Sequence, residues 1–303
     1  MEGTAVAPAA GTVLNALANL RGSAFAIDVY TSATVELSDR PDVEGTIAGA
    51  PEADTTLIET CVRTVTSRFG AGEGGVVRTE SDVPMAAGLK SSSAAANATV
   101  LATLDALDAT DEIGREAAAR LGVEAARDAG VTVTGAFDDA SASMLGGVTV
   151  TDNERDELLA REKRDWDVLV WTPPEQAYSA DADVEQCRRI APIADLVADL
   201  ALDGRFERAM TVNGLAFCAA LGFSANPILD ALPEAGGVSL SGTGPSFIAV
   251  GERPQLQVVR ERWDERDGTT MLTTTQSTGA IAGVATPPDA ETEQSTTDDH
   301  GSD

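Results

Sequence analysis

The sequence predicts an α+β fold on two observations. Segments rich in β-branched residues are interspersed with segments of helical apolar spacing, and the two kinds follow one another without the regular strand–helix rhythm of a parallel sheet. With 303 residues and 43% hydrophobic content, the chain is long enough for two ordinary domains or one large one.

Residues 24–37 are β-branched and apolar and predict a strand or a bent pair. Residues 54–69 predict a helix, with Leu57, Ile58, Cys61, Val65 and Phe69 on one face and Gly70 as its stop. A strand at 74–79 leads to two helices, 91–108 and 112–129; Val100, Leu101, Leu104 and Leu107 share a face of the first, and Gly130 closes the second. Residues 131–134 are expected to be extended, and a strand over 144–151 follows a turn at Gly135-Ala136-Phe137-Asp138-Asp139. The charged run 152–165 is the natural place for a domain boundary. Beyond it, a strand at 166–171 is stopped by Pro173-Pro174, and helices cover 192–202, with Pro192 in the first turn, and 204–221. Short strands at 238–240 and 247–250 flank Ser241-Gly242-Thr243-Gly244-Pro245, and a helix at 254–266 and a strand near 270–275 complete the order. From Pro287 the tail carries six acids and no Lys or Arg, and is expected to be disordered.

The charge balance is extreme: 49 Asp and Glu against 21 Lys and Arg, a net of −28, with Lys90 and Lys163 the two lysines. The acids interrupt regular amphipathic segments along the whole chain, which a disordered acidic protein would lack. This is the surface of a globular protein suited to multimolar salt, where screening shortens the Debye length to about 3 Å. Nucleic acid and anionic membrane are excluded as partners by the sign of the field. Cys61, Cys187 and Cys218 are isolated and the single histidine is His300, which argues against a zinc site or a His-dependent triad. Without a basic leader or an apolar run approaching 18 residues, a soluble cytoplasmic protein is expected.

Residues 84–97, Pro-Met-Ala-Ala-Gly-Leu-Lys-Ser-Ser-Ser-Ala-Ala-Ala-Asn, carry the most information. A Gly- and Ser-rich loop opening into a helix presents unpaired backbone N–H groups at the positive end of the helix dipole, which is an anion site. It is not a Walker A loop, since no Gly-Lys-Ser/Thr follows a Gly at the required spacing. The same residues also suit an ordinary Ser-capped helix after a turn. Phosphate is the usual occupant of such an anion site.

Three segments in order, Pro84 to Ala94, Thr134 to Gly147 and Leu240 to Ser246, resemble the GHMP kinase superfamily over residues from about 11 to 280. Lys90 in place of a second loop Gly, the three serines, the Gly11 to Asp28 run and the Gly-Ala-Phe-Asp-Asp-Ala-Ser segment look like its archaeal-type shikimate kinase branch. The resemblance implies a two-domain fold: a ribosomal-S5-like N-terminal domain over 1–155 and a ferredoxin-like C-terminal domain over 156–286, then the acidic tail 287–303. It also implies ATP- and Mg²⁺-dependent phosphorylation of the small molecule shikimate at its 3-hydroxyl. The nucleotide would be held by Pro84, Met85, Ala86, Ala87, Gly88, Leu89, Lys90, Ser91, Ser92, Ser93 and Ala94. Asp138 and Lys90 are the implied catalytic residues, with Asp139 expected to point elsewhere. Ser92 (Ser93 the alternative) and Glu124 are the implied metal ligands, and Arg21, Asp28, Gly242 and Gly244 lie on the substrate side. The competing readings are homoserine or mevalonate kinase, or a catalytically silent nucleotide-binding regulator; Lys90, Ser92 and Asp138 occurring together argue against silence.

Overall fold

The computed structural model describes residues 1–82, 88–132, 134–174, 182–287 and the backbone of 293–296. Its first half is built on a long antiparallel pair, β1 (Glu2–Leu14) and β2 (Arg21–Ser38). Register shifts fall between Pro8 and Ala10 and between Thr12 and Leu14, so the pair bends where proline cannot donate to the ladder. The bend lets β2 serve two neighbours. Its start pairs with β5 (Val148–Asp152), and its end pairs with β4 (Gly74–Ser81), which runs parallel to β3 (Val43–Ile47). β6 (Glu157–Glu162) extends the sheet beyond β5, and β11 (Ile281–Ala282) returns to β1.

α2 (Ser91–Ala106) packs on β1 and β2, flanked by α1 (Thr56–Phe69), α3 (Arg115–Asp128) and α4 (Phe137–Leu145). Small side chains let it sit at the centre of this layer. Ala94, Ala96, Ala98 and Ala102 are buried together with Val100, Leu101 and Leu104. The second half alternates β7 (Asp167–Thr172), the helices α5 (Val184–Arg188), α6 (Ala191–Leu202), α7 (Phe206–Leu221) and α8 (Asn226–Ala231), then β8 (Gly237–Leu240), β9 (Phe247–Gly251), α9 (Arg253–Trp263) and β10 (Thr269–Thr274). The strand order β10-β7-β9-β8, antiparallel throughout, is the split βαβ arrangement of ferredoxin-like domains. A common apolar core joins the halves: Val13, Phe25 and Ile27 cluster with Val168, Val170, Phe217 and Ile248, and Phe25 meets Trp166 edge-on at 5.6 Å.

Four expectations need correction. The segment after Gly135 is a helix rather than a turn, because Phe137, Ala140, Ser141 and Met144 recur at helical spacing and are buried together, and the strand expected over 144–151 starts only at Val148. Within the charged run 152–165, β5 and β6 form a hairpin, and the first sheet persists to Glu162 before β7 opens the second at Asp167. β1 goes beyond what the sequence predicts, since alanine and glycine stand where β-branched residues would mark a strand. Of the acidic tail, residues 293–296 (β12) run as a strand beside β10, while 288–292 and 297–303 lie outside the described residues. Thr132 forms no strand and Val133 lies outside the described residues.

Candidate active site

Lys90 is the N-cap of α2 and sits in the left-handed region at φ 65°, with no side chain among the described residues bonded to the first-turn N–H groups. Ser91, Ser92 and Ser93 occupy that first turn, which carries no acid, and Ser92 is exposed. An uncapped, acid-free helix start facing solvent suits an anion. Pro84, Met85, Ala86 and Ala87 lie outside the described residues.

The C-terminal glycine loop closes onto this turn. The Ser241 hydroxyl donates to the Gly88 carbonyl at 2.9 Å. Gly88 has φ +74°, and a Cβ there would stand 2.4 Å from the Ser241 carbonyl oxygen, so only glycine permits the contact. The Gly242 N–H donates to Thr12 Oγ1 at 2.8 Å, and Asn15 Nδ2 donates to the Gly242 carbonyl at 2.8 Å. Asn15 is in turn held by Asn213, whose amide donates to Ser239. The end of β1 thereby ties the two glycine loops together. Thr12, Asn15 and Asn213 are missing from the sequence-based site: each is a lone polar residue in an apolar run and makes its bonds far along the chain. Gly242 and Gly244 lie against the Gly88–Lys90 segment: a Cβ on Gly242 would meet Lys90 Nζ at 3.1 Å, and one on Gly88 would meet the Gly244 carbonyl at 2.9 Å.

The two adjacent acids divide. Asp139, in the first turn of α4, reaches Lys90: Oδ1 lies 3.0 Å from Nζ, with the two side chains 13% and 11% exposed. This corrects the expectation that Asp139 points elsewhere. Among the described residues the oxygen has no well-directed hydrogen-bond donor, so its attraction to Lys90 leaves acceptor capacity for a ligand. Asp138 is 4% exposed and clasped by Asn153, which donates to Asp138 Oδ1 at 2.7 Å and accepts from its backbone N–H at 3.2 Å. Its carboxyl group lies against Gly22, where a Cβ would approach Cγ to 2.4 Å. Burial, then the charge of Asp139, push the Asp138 carboxyl up to about 7, against the opposing pull of Lys90 and the Asn153 hydrogen bond. Asn153 lies within the charged run taken from sequence as a boundary, which hid its role.

Glu124 is not near this group in the way a metal ligand requires. It is 44% exposed and bonded through both oxygens to Arg68, at 2.5 and 2.6 Å. The inward face of α3 is apolar and small, Ala118, Leu121, Gly122 and Ala125, which leaves Glu124 to pair on the surface. Asp28 accepts from the Tyr30 hydroxyl at 2.7 Å, and burial followed by this contact raises the Tyr30 phenol further above its ordinary value. Arg21 is exposed at the start of β2, where it pairs in register with Asp152. None of the described hydrogen bonds or ion pairs brings Glu124, Asp28 or Arg21 to Lys90. Among the described residues no group of three His, Cys, Asp or Glu is placed to hold a metal ion, and no helix is long and apolar enough to cross a membrane.

Comparison with known proteins bears on this geometry. Residues 56–147 match the GHMP kinases N terminal domain. A shikimate kinase from Halobacterium salinarum is 64% identical over 281 residues, 92% of this chain and 99% of that protein. One from Methanosarcina mazei is 49% identical over 287 residues, 93% and 97% of the two chains. In solved structures, homoserine kinase from Cytophaga hutchinsonii superposes with a TM-score of 0.71 at 18% identity, covering 93% of this chain and 97% of that one. Mevalonate kinase from Methanococcus jannaschii gives 0.72 at 14% identity, covering 90% and 98%. Both likenesses are of fold.

Proposed function

The chain belongs to the archaeal-type shikimate kinases of the GHMP kinase superfamily, and on that premise we propose that Lys90 and Asp139 are the charged pair at which ATP phosphorylates shikimate. The chain is a kinase. The observation that carries the residue assignment is the close approach of Lys90 to Asp139 at the uncapped start of α2.

Phosphoryl transfer asks little covalent chemistry of the protein and much positioning and charge stabilisation. The triphosphate lies along the first-turn N–H groups of α2, and Lys90 turns from Asp139 toward the γ-phosphoryl charge. Asp139, released from that pairing, accepts the proton of the shikimate 3-hydroxyl as its oxygen bonds to the γ-phosphorus. The bond from that phosphorus to the bridging oxygen breaks, and ADP leaves with the electron pair. Asp138, clasped by Asn153 against Gly22, fixes the start of α4 and hence the aim of Asp139.

The donor set fits Mg²⁺ carried in on the nucleotide rather than a site made by protein alone: one exposed hydroxyl, Ser92, with Ser93 beside it, and no cluster of carboxylates among the described residues. The ion supplies charge neutralisation on the phosphate oxygens. Glu124, paired with Arg68, takes no part in holding the ion.

Assaying the protein against shikimate, homoserine and mevalonate tests the reading; phosphorylation of shikimate at a kcat/KM well above the other two is expected. Lys90→Ala should lower kcat/KM for ATP by about 10²-fold, because a cation is removed from the developing phosphate charge. Ser92→Ala should raise the Mg²⁺ concentration needed for half-maximal rate. Unchanged kinetics in both variants would remove the phosphate-loop assignment.

A further inference from the structure

A cleft of about 240 Å³ opens between the β1–β2 turn, Leu17 to Leu20, and one side of α5, Val184 and Arg188, with Thr134 at its edge. Two chain segments connect it with the site described above. The β1–β2 connection runs from Thr12 and Asn15, which hold the Gly242 loop, through the cleft wall to Gly22, on which Asp138 packs. Thr134 stands four residues before Asp138 and five before Asp139. The volume falls below the roughly 300–1,000 Å³ of sites for larger ligands and suits a single ring.

The lining carries few polar groups. Asn19 is committed: Nδ2 donates to Asp195 at 2.8 Å and Oδ1 accepts the Arg21 N–H at 3.1 Å. Thr134 Oγ1 accepts from the Ala136 N–H and keeps its own proton to donate. Arg188 is exposed at the end of α5 and has no carboxylate partner among the described residues, whereas its neighbour Arg189 pairs with Glu185. Leu17, Ala18, Leu20 and Val184 supply the apolar wall. One unpaired guanidinium facing an apolar slot is the complement of a small ring bearing a carboxylate.

Resting on the function proposed above, we propose that this cleft is the acceptor site and that Arg188 binds the acceptor's carboxylate, making it the residue that selects an acid over a neutral alcohol. Charge supplies the reason a contact is needed. In molar salt the Debye length of about 3 Å screens long-range attraction as well as the repulsion from the net charge of −28, so selection of an anionic acceptor rests on direct contact.

The test compares shikimate with its methyl ester as acceptors for the full-length protein in molar KCl, with Arg188→Gln, Arg188→Lys and Arg189→Gln alongside the wild type. Arg189→Gln removes the same charge one position away. Loss of a charge-assisted pair should raise the KM for shikimate about 10- to 100-fold in Arg188→Gln. The KM for ATP and for the ester should stay within about two-fold, and Arg188→Lys should recover part of the loss. Melting temperatures equal to wild type would show that the exposed substitution leaves the fold intact. An active Arg188→Gln variant with unchanged shikimate KM overturns the inference alone, as do equal losses on shikimate and ester, or an Arg189→Gln effect of the same size. A wild-type protein that leaves shikimate unphosphorylated overturns the functional reading and the inference with it.

Discussion

Replacing Asp139 by Asn should lower kcat with shikimate by about 10²-fold or more while ATP binding moves only a few-fold. The carboxylate that faces Lys90 is lost, and an amide cannot take the acceptor's proton. Asp138→Asn should cost much less in kcat, because Asn preserves the acceptor that Asn153 Nδ2 needs. The two variants also separate on stability. A carboxyl group raised in the folded state to about 7 binds its proton more tightly there than in the unfolded chain, where it ionises near 3.8. Between those values the folded state holds more protons, so this group's contribution to stability falls as pH rises and is fully lost above about 7. Asn at 138 lacks that loss. The melting temperature of Asp138→Asn relative to wild type should therefore climb from pH 4 to pH 7 and level off beyond. A kcat loss larger in Asp138→Asn than in Asp139→Asn would reverse the two roles.

Much of this arrangement is legible in the sequence where one local feature decides it. Gly88 to Ser93 announces a helix start because loop glycine and hydroxyl residues precede a helical apolar run, and the structure has α2 beginning at Ser91. The positions of the strands along the second half follow from β-branched runs such as Val168 to Trp171 and from proline stops, while their order in the sheet is implied by the family resemblance alone. What escapes is decided by contacts far apart along the chain. Nothing local marks Asn15 as the residue that grips Gly242, 227 positions away. Adjacent acids on a short helix look alike in sequence; here Asn153 claims Asp138 and Lys90 claims Asp139. Glu124, implied as a metal ligand by the resemblance, is taken by Arg68 on a neighbouring helix. In a chain with 49 acids, the identity of an acid says little until its partner is known.

Stability should rise steeply with salt, and the melting temperature and activity of the wild type should both climb from dilute buffer to molar KCl. Two electrostatic effects oppose each other here. Exposed ion pairs such as Arg68–Glu124 and Arg205–Asp203 weaken as salt is added, but an exposed pair is worth only about 0–1 kcal/mol. Against them stands the excess of 28 negative charges that no Lys or Arg in the chain can pair. Folding concentrates these carboxylates over one surface, and at 0.01 M salt a Debye length of about 30 Å lets them repel across the whole molecule. At 1 M that length is about 3 Å, and the repulsion is reduced to near neighbours. The repulsion outweighs the pairs, so the net slope is positive. Most of the gain should arrive by about 1 M, because screening is then nearly complete. Further gain in multimolar salt would report strengthened apolar burial or cations bound between carboxylates. Activity gains a second contribution, since ATP and a carboxylate acceptor must both approach the same negative field. A melting temperature that is flat or falling between dilute buffer and 1 M KCl would show that the acidic surface is no adaptation to salt.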